Sequence, residues 1–210
     1  MAARLDTKKR SLIASERDEA ARAAWREHEA LTAATRYVFV DECGMQTNMT
    51  PRYARAPRGQ RAVGVVPRNQ HKNTTLIAAI NAQGMGVCMT LEGATDADAF
   101  VAYLTHFLLP SLPPGQVVVL DNLSVHKDKR VAPLIAAARC RLCYLPAYSP
   151  DFNPIESAFS KIKTAMRRVA ARTHEALVNA LGPVLDTVTA QDMRGWYDLC
   201  GYSLKVEQPS

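Results

Sequence analysis

Three acidic residues of this chain each follow a segment that would hold a side chain still. Asp41 ends the β-branched and aromatic run RYVFVD, Asp121 ends the apolar run QVVVLD, and Glu156 follows a proline-rich segment. Carboxylates gathered in one place repel each other, and their pKa values rise, unless divalent cations join them. Mg²⁺ binds one or two carboxylates together with water and phosphate oxygens. Two such ions about 4 Å apart can activate an attacking hydroxyl and stabilise the leaving oxygen of a phosphodiester. The three positions therefore predict a metal site that cleaves phosphodiesters.

The segment before Glu156, LPAYSPDFNPIE, predicts a stiff approach to a helix, because its prolines and its Ser-Pro-Asp turn restrict the backbone. Asn153 is a candidate helix cap, and Pro154 suits the first turn, where a missing N–H costs nothing. One interpretation is a capping box in which Asn153 and Glu156 satisfy each other's backbone donors. Because Asp41 and Asp121 are also present, we instead expect Glu156 to turn towards a metal ion, with Asn153 close to that site. The alternative for Asp41 is a turn-forming residue at the end of its strand.

Two polar residues after Asp121 are expected close to the metal site. They are Asn122 and His126, and ligand-binding groups gather at the carboxyl ends of such strands. His126 is interpreted either as a substrate contact or as a brace for its loop. Glu42 follows Asp41 but should face the opposite side of the strand, so it is left outside the predicted site.

Two groups of basic residues suit a polyanionic partner. No acidic residue occurs from Cys43 to Leu91, and prolines and glycines interrupt this window, which predicts a basic loop or irregular hairpin. Phosphate is the natural partner for such closely spaced like charges, and a merely solubilising loop is the alternative. A second group follows Glu156 as a ridge on the next helix. The residues expected to bind nucleic acid are Arg52, Arg55, Arg58, Arg61, Lys127, Lys161, Lys163, Arg167 and Arg168, with Arg68 and Lys72 in the same loop window.

The remaining patterns predict a mixture of strands and helices. TTLIAAI and GVCMTLEG flank the turn-forming NAQGMG and predict a hairpin. Residues 96–109 and the stripe from Ile155 to Val169 carry apolar side chains at helical spacing. RLCYL is a further short strand, and residues 173–200 predict one or two packing helices. Residues 1–35 favour a solvated helix with a thin apolar stripe, because charges of both signs are interleaved.

The composition is ordinary for a globular protein of 210 residues, with 48% hydrophobic and 22% charged residues. A net charge of +6 and a pI of about 9.2 are compatible with a polyanionic partner. No apolar run approaches the length of a membrane span and the N-terminus has no apolar signal core, so we expect a cytoplasmic protein without a membrane partner. Five cysteines without a secretion signal predict reduced thiols, and Cys140 and Cys143 are interpreted as small buried hydrophobes.

Three motifs carry a resemblance to a known family. They are D-E-x-G at Asp41, D-N-x-x-x-H-K at Asp121, and L-P-x-Y-S-P-D-x-N-P-I-E, which ends at Glu156. Together they resemble the catalytic domain of D-D-E transposases, and more closely the bacterial insertion-sequence branch of the mariner superfamily. The last two acids are 35 positions apart, a spacing that suits that superfamily. The resemblance runs from about residue 36 to residue 172, and its last motif is the most specific.

The resemblance implies that Asp41, Asp121 and Glu156 are the catalytic, metal-binding triad, with two Mg²⁺ or Mn²⁺ ions as cofactor. It implies an α/β, ribonuclease-H-like fold, a mixed sheet of about five strands with helices on both faces. It also implies a reaction on double-stranded DNA: water cleaves at the element's end, and the freed 3′-hydroxyl then attacks target DNA. We divide the chain into a helical N-terminal segment (1–35), the catalytic domain (36–172) and C-terminal packing helices (173–210).

Members of that family usually begin with helix-turn-helix domains that recognise the element's ends. We expect that part to be encoded separately here, or the chain to be a truncated copy or an excised domain. A homodimer and a location at the bacterial nucleoid are further expectations. Two other interpretations stay open, a different ribonuclease-H-like nuclease and a catalytically silent or regulatory remnant that binds DNA or a full-length partner.

Overall fold

The centre of the protein is a five-stranded mixed sheet in the order β3-β2-β1-β4-β5. The computed structural model describes residues 14–29, 32–68 and 73–204, so Lys72 and much of the predicted N-terminal segment lie outside the described residues. All four residues of β4 are buried, as its continuous apolar run predicts for a strand covered on both faces. The strands are β1 (Tyr37–Met45), β2 (Thr74–Asn81), β3 (Gly84–Glu92), β4 (Val117–Leu120) and β5 (Arg141–Tyr144).

The first three strands form an antiparallel meander, and β4 and β5 pair in parallel on the other side of β1. The predicted hairpin is confirmed as β2 and β3. The element order of helix, strand, helix, strand and helix after β3 also agrees with the expectation from sequence.

β1 is longer than its sequence pattern predicts. The expectation that it ends near Asp41 is wrong, since β1 stays paired with β2 as far as Met45. Its pairing with β4 stops earlier, with Phe39 beside Val119, and β4 ends one residue later. The offset between these partners is 80 residues, so the register places Asp41 at the position equivalent to Asp121. Because β4 ends before this position, a space is left beside the Asp41 carboxylate of β1.

Helices cover both faces of the sheet, as predicted. Tyr37 and Phe39 pack into a cluster with α5, α6 and α7, whereas Val38 and Val40 pack on the other face with α2 and α4. α2 continues through a π-helical stretch, Leu104–Leu108, into α3. The helices are α1 (Glu19–Glu29), α2 (Ala97–Tyr103), α3 (Leu109–Ser111), α4 (Val131–Ala137), α5 (Ile155–Val169), α6 (His174–Leu185) and α7 (Ala190–Leu199).

The C-terminal helices belong to the same core as the sheet. Leu177 of α6 and Tyr197 of α7 are buried in the cluster that contains α5, and the Tyr197 hydroxyl donates to the carbonyl of Tyr37 at 3.1 Å. The division of the chain into three parts stays a prediction. No helix in the described ranges combines the length and apolar character needed to cross a bilayer. Cys140 and Cys143 were predicted to be small buried hydrophobes, but they are only partly buried, and they pack against opposite faces of the sheet.

The connection between β1 and β2 is an exposed arm, which we call the basic arm (residues 46–68). It contains neither helix nor strand, and residues 51–65 are all exposed, which agrees with the predicted basic loop. Its base is fixed by Arg172, whose guanidinium donates to the carbonyls of Thr47 and Met49 at 3.1 and 2.8 Å. The arm is thus anchored just beyond the C-terminal end of α5.

The described side chains of α1 are mostly exposed, as predicted for a solvated helix with a thin apolar stripe, but its docked face includes a charged residue. The side chain of Arg22 is only 4% exposed, and Trp25 packs against the main hydrophobic cluster. Interleaved charges concealed this contact, because one buried arginine gives no periodic apolar signal.

Truncation inside α5 tests the packing of this helix on the sheet. Ile162 is completely buried, so Ile162→Ala is expected to lower the free energy of unfolding by about 2–5 kcal/mol. Urea denaturation would measure the loss.

Val169→Ala is the matched control for that measurement. The sequence pattern places Val169 in the same apolar stripe, but its side chain is 48% exposed, so the loss should be within about 0.5 kcal/mol. Equal losses for the two variants would contradict the packing described here.

Candidate active site

The three predicted carboxylates line one cleft of about 380 Å³. Asp41 comes from the middle of β1, Asp121 directly follows β4, and Glu156 lies in the first turn of α5. The predicted neighbours Asn122 and Asn153 line the same cleft. Residues that are up to 115 positions apart in the chain are therefore brought to one place by the sheet and the start of α5.

Asp41 is the most buried of the three acids, with 8% of its surface exposed. One carboxylate oxygen accepts the backbone N–H of Glu42 at 2.7 Å, and the other accepts the side-chain amide of Asn153 at 3.0 Å. Burial raises the pKa of Asp41 to about 7, and the negative charges of Asp121, Glu42 and Glu156 act in the same direction. Both donors to this carboxylate are neutral, so the site holds an excess of negative charge that a cation would relieve.

His126 fixes the orientation of Asp121. Its ring is completely buried, with Nδ1 2.7 Å from a carboxylate oxygen of Asp121 and Nε2 3.1 Å from one of Glu42. Burial alone would lower the pKa of His126, but these hydrogen bonds and the two negative charges raise it to about 9. A protonated ring donates from both nitrogens. Of the two interpretations of His126, the geometry favours the brace over the substrate contact.

Asp121 is held by its own turn as well. The same oxygen that meets His126 accepts the backbone N–H of Leu123 at 2.9 Å. Burial favours a higher pKa for Asp121, but the hydrogen bonds from His126 and Leu123 and the charge of Lys127 lower it below its usual range. The side-chain amide of Asn122 donates to the carbonyl of Leu145, which joins the residues that follow β4 and β5.

Glu42 is a residue that the sequence argument missed. It faces the opposite side of β1, as strand alternation predicts, but His126 links it to Asp121 beyond the end of β4. One oxygen of Glu42 is buried without a hydrogen-bond partner among the described residues. The signal that could have revealed this role is the combination of Glu42, on the far face of β1, with His126, in the loop after β4. An acid at such a position is not distinctive alone, and neither is such a histidine.

The start of α5 differs from the predicted cap. α5 begins at Ile155, its N-cap residue is Pro154, and no side chain caps it, so the predicted capping by Asn153 is wrong. The Asn153 amide donates to Asp41 instead, while its side-chain oxygen is buried without a partner among the described residues. The backbone N–H of Asn153 donates to the carbonyl of Pro150 at 3.0 Å and not to the Glu156 carboxylate, which is exposed and lines the cleft.

The donor set fits a hard divalent cation. Carboxylates in a half-buried cleft, where burial and then neighbouring negative charges raise the pKa of Asp41, are the ligands that Mg²⁺ and Mn²⁺ prefer. Within the described ranges, no three His, Cys, Asp or Glu side chains are close enough to one another to hold a metal ion together. Mg²⁺ commonly takes only one or two carboxylates and completes its shell with water and substrate phosphate oxygens. The residues present are compatible with that mode of binding.

A second cleft, the basic groove, adjoins the carboxylates. It has a volume of about 530 Å³ and lies between the base of the basic arm and α5. Glu156 lines both clefts, so the groove leads directly to the carboxylate site. Its cationic lining residues are Arg52, Lys163, Arg167 and Arg168.

The other predicted basic residues lie at several places. Arg55, Arg58 and Arg61 are exposed along the arm, and Lys127 is exposed beside the carboxylate cleft. Lys161 is already paired, since its amine lies 2.6 Å from Asp192 and also donates to a backbone carbonyl.

The comparison with protein families identifies this arrangement. A family described as DDE superfamily endonuclease matches residues 36–178. The chain belongs to the DDE superfamily of endonucleases. The match spans the whole sheet, α5 and the start of α6, and therefore includes the three carboxylates of the cleft. No curated protein sequence shows significant similarity to the chain.

Solved structures of similar fold come from transposases. The Mos1 transposase paired-end complex with left transposon end has a TM-score of 0.74 at 18% identity, over 93% of this chain and 64% of that chain. The mariner Mos1 paired-end complex with Mg gives 0.72 at 16% identity, over 96% and 65%. The catalytic domain of Mos1 mariner transposase gives 0.62 at 16% identity, over 88% and 86%.

At such identities these structures establish the fold of this DDE superfamily endonuclease. The predicted ribonuclease-H-like architecture is thereby confirmed. The chain spans about two thirds of the length of the transposase chains in the paired-end complexes.

Removal of the imidazole of His126 tests its part in the site. His126→Leu keeps a side chain of similar size but leaves the Glu42 carboxylate, 11% exposed, without its partner. We expect a loss of about 3–5 kcal/mol in the free energy of unfolding, because an uncompensated buried charge remains. Thermal or urea denaturation at neutral pH would measure it.

His106→Leu is the control, since His106 is exposed and should change stability by no more than about 0.5 kcal/mol. Adding Glu42→Gln to His126→Leu should recover part of the loss. A double variant as unstable as the sum of the single changes would show that the two side chains are not coupled.

Proposed function

We propose that this chain is the catalytic domain of a transposase, which hydrolyses a phosphodiester at the ends of a mobile DNA element and joins the freed 3′-hydroxyl to target DNA. The observation that carries the proposal is the carboxylate cleft itself. Three acids from separate elements line it, and one of them, Glu156, also lines the adjoining groove of cations. A negatively charged metal site beside a positively charged groove suits cleavage of a polyanion.

Asp41, Asp121 and Glu156 would hold two Mg²⁺ or Mn²⁺ ions, and Mg and Mn are both named in complexes of the structurally similar mariner transposase. When bound, such ions activate the attacking hydroxyl and stabilise the leaving oxygen of the phosphodiester. His126 keeps Asp121 in one orientation, and Asn153 does the same for Asp41. A metal ion binds best to ligands that are already held in place, and hydrogen bonds from neighbouring side chains to the carboxylates set that geometry.

Double-stranded DNA is the proposed substrate, and structures with transposon-end DNA among the similar folds support it. The groove and arm present arginine and lysine side chains, which suit phosphate contacts that are independent of base sequence. Recognition of the element's ends would then come from a helix-turn-helix part, and a homodimer would hold two ends together. We further propose that the chain belongs to the bacterial insertion-sequence branch and acts in the cytoplasm at the nucleoid.

Metal-dependent nicking tests the catalytic proposal. Wild-type protein is expected to nick supercoiled plasmid with Mg²⁺ or Mn²⁺, and Asp121→Asn should lower the rate at least about 100-fold, since one ligand is lost. A strand-transfer assay with a pre-cleaved 3′-hydroxyl end and a target plasmid tests the second step separately.

Asp186→Asn, an exposed carboxylate at the end of α6, is the matched control and should nick as wild type does. Asp121→Asn with full activity would overturn the assignment of the site. If wild type and Asp121→Asn are both inert but bind DNA equally well, the result would instead favour the interpretation as a regulatory remnant.

The salt dependence of DNA binding tests the basic arm. Arg58→Gln combined with Arg61→Gln should weaken binding to DNA of any sequence and reduce the slope of log K against log salt by about 2, because each phosphate contact contributes about 0.9. Fluorescence anisotropy between 50 and 200 mM salt would measure the slope.

Lys161→Gln serves as the comparison, because Asp192 already neutralises Lys161. Its slope should match that of the wild type. An unchanged slope in the arm variant would exclude phosphate contacts at Arg58 and Arg61.

A further inference from the structure

Arg22 of α1 makes a contact that the proposed reaction has not used. Its guanidinium forms a bidentate pair with Asp151, at 2.9 and 2.6 Å, and lies 4.0 Å above the centre of the Phe152 ring. Arg22 is only 4% exposed, whereas Asp151 is 48% exposed. A long charged side chain loses considerable conformational freedom when it is buried, so this contact fixes a definite geometry.

Three consecutive residues of the turn before α5 have three different partners. Asp151 is held by Arg22, Phe152 is buried beneath the same guanidinium, and Asn153 donates to Asp41. The turn also closes on itself, since the Asn153 N–H donates to the carbonyl of Pro150 at 3.0 Å. A displacement of Asp151 or Phe152 would therefore move the amide that orients Asp41.

A second link joins α1 to the same turn. The indole N–H of Trp25 lies 3.3 Å from the hydroxyl of Tyr202, and that hydroxyl donates to the carbonyl of Phe152 at 2.8 Å. Arg26, one helical turn after Arg22, lies 4.8 Å from the Phe152 ring. One face of α1 is thus directed at the turn from which the helix bearing Glu156 begins.

We propose that Arg22 is a positioning residue for the carboxylate site, because docking of α1 through Arg22 fixes the turn that orients Asp41 and starts the Glu156 helix. The inference rests on the proposed function, since it concerns the same metal ligands. It adds that metal affinity depends on a helix outside the ribonuclease-H-like domain. Anything that displaces α1 would then loosen the site.

Mn²⁺ binding in the absence of DNA tests this inference without relying on activity. We would titrate the full chain with Mn²⁺ and follow the free ion by electron paramagnetic resonance. Arg22→Ala should weaken binding about 10-fold, the lower end of the range for losing a direct hydrogen-bond partner of a metal ligand, because Arg22 acts on Asp41 through Asn153. Arg22→Lys should fall between, because lysine keeps the charge but cannot form the bidentate pair.

Two variants serve as controls. Arg194→Ala removes an equal charge from an exposed position on α7 and should leave Mn²⁺ binding unchanged. The exchange Arg22→Asp with Asp151→Arg restores an ion pair in reverse and should recover part of the affinity. Recovery by the exchanged pair would show that the ion pair between positions 22 and 151, and not the arginine side chain by itself, sets the Mn²⁺ affinity.

Amide hydrogen exchange provides the second measurement. The N–H groups of Phe152, Asn153 and Glu156 all donate to carbonyls within this segment, so their exchange should accelerate in Arg22→Ala, while that of β2 stays unchanged. Unchanged exchange in the turn together with wild-type Mn²⁺ affinity would overturn the inference.

The two proposals fail in different ways. If wild type binds Mn²⁺ no better than Asp121→Asn, the metal site itself is wrong. In that case the amide exchange rates of the turn in Arg22→Ala still test whether Arg22 fixes the turn. Unchanged rates would exclude that role, and faster rates would support it.

Discussion

The rest of the structure depends on one electrostatic constraint, the gathering of like charges at the end of a parallel strand pair. Asp41 is nearly buried and faces Asp121 and Glu156 across one cleft, with the result that its pKa rises to about 7. Such an arrangement costs free energy unless cations or fixed donors offset it. The fold creates it by ending β4 early, beside a neighbouring strand that continues. Gathered carboxylates lower the stability of the fold, and such unfavourable arrangements occur mostly at functional sites, so the cleft indicates function.

Support for the carboxylates comes from both faces of the sheet. On one face, His126 lies between Asp121 and Glu42 and packs 4.5 Å from the ring of Phe100. On the other face, Asn153 holds Asp41 from the turn that precedes α5. The two ligands are therefore oriented by separate hydrophobic clusters, and the position of each is set by packing around its supporting side chain.

Charge is also divided between two adjoining clefts. The cations of the basic groove lie on α5 and on the base of the arm, whereas the acids lie in β1, directly after β4 and in the first turn of α5. Glu156 lines both clefts. Arg172 joins the arm to the end of α5, so the two walls of the groove are tied at one end. The arm itself is exposed and lacks regular structure, as a segment rich in arginine, proline and glycine would be when no apolar face is available to bury.

The sequence by itself determined the elements and the identity of the acids. Apolar runs around turn-forming residues specified β2 and β3, a continuous apolar run specified β4, and apolar side chains at helical spacing specified the buried stripe of α5. It placed Asp121 and Glu156 correctly at the starts of their loop and helix, and its motifs matched the family. Only the tertiary structure decided what each acid contacts. The length of β1, the Glu42–His126 link, the turning of Asn153 towards Asp41 and the burial of Arg22 all arise from partners distant in the chain. Such contacts depend on how packed elements meet, and no local pattern records that.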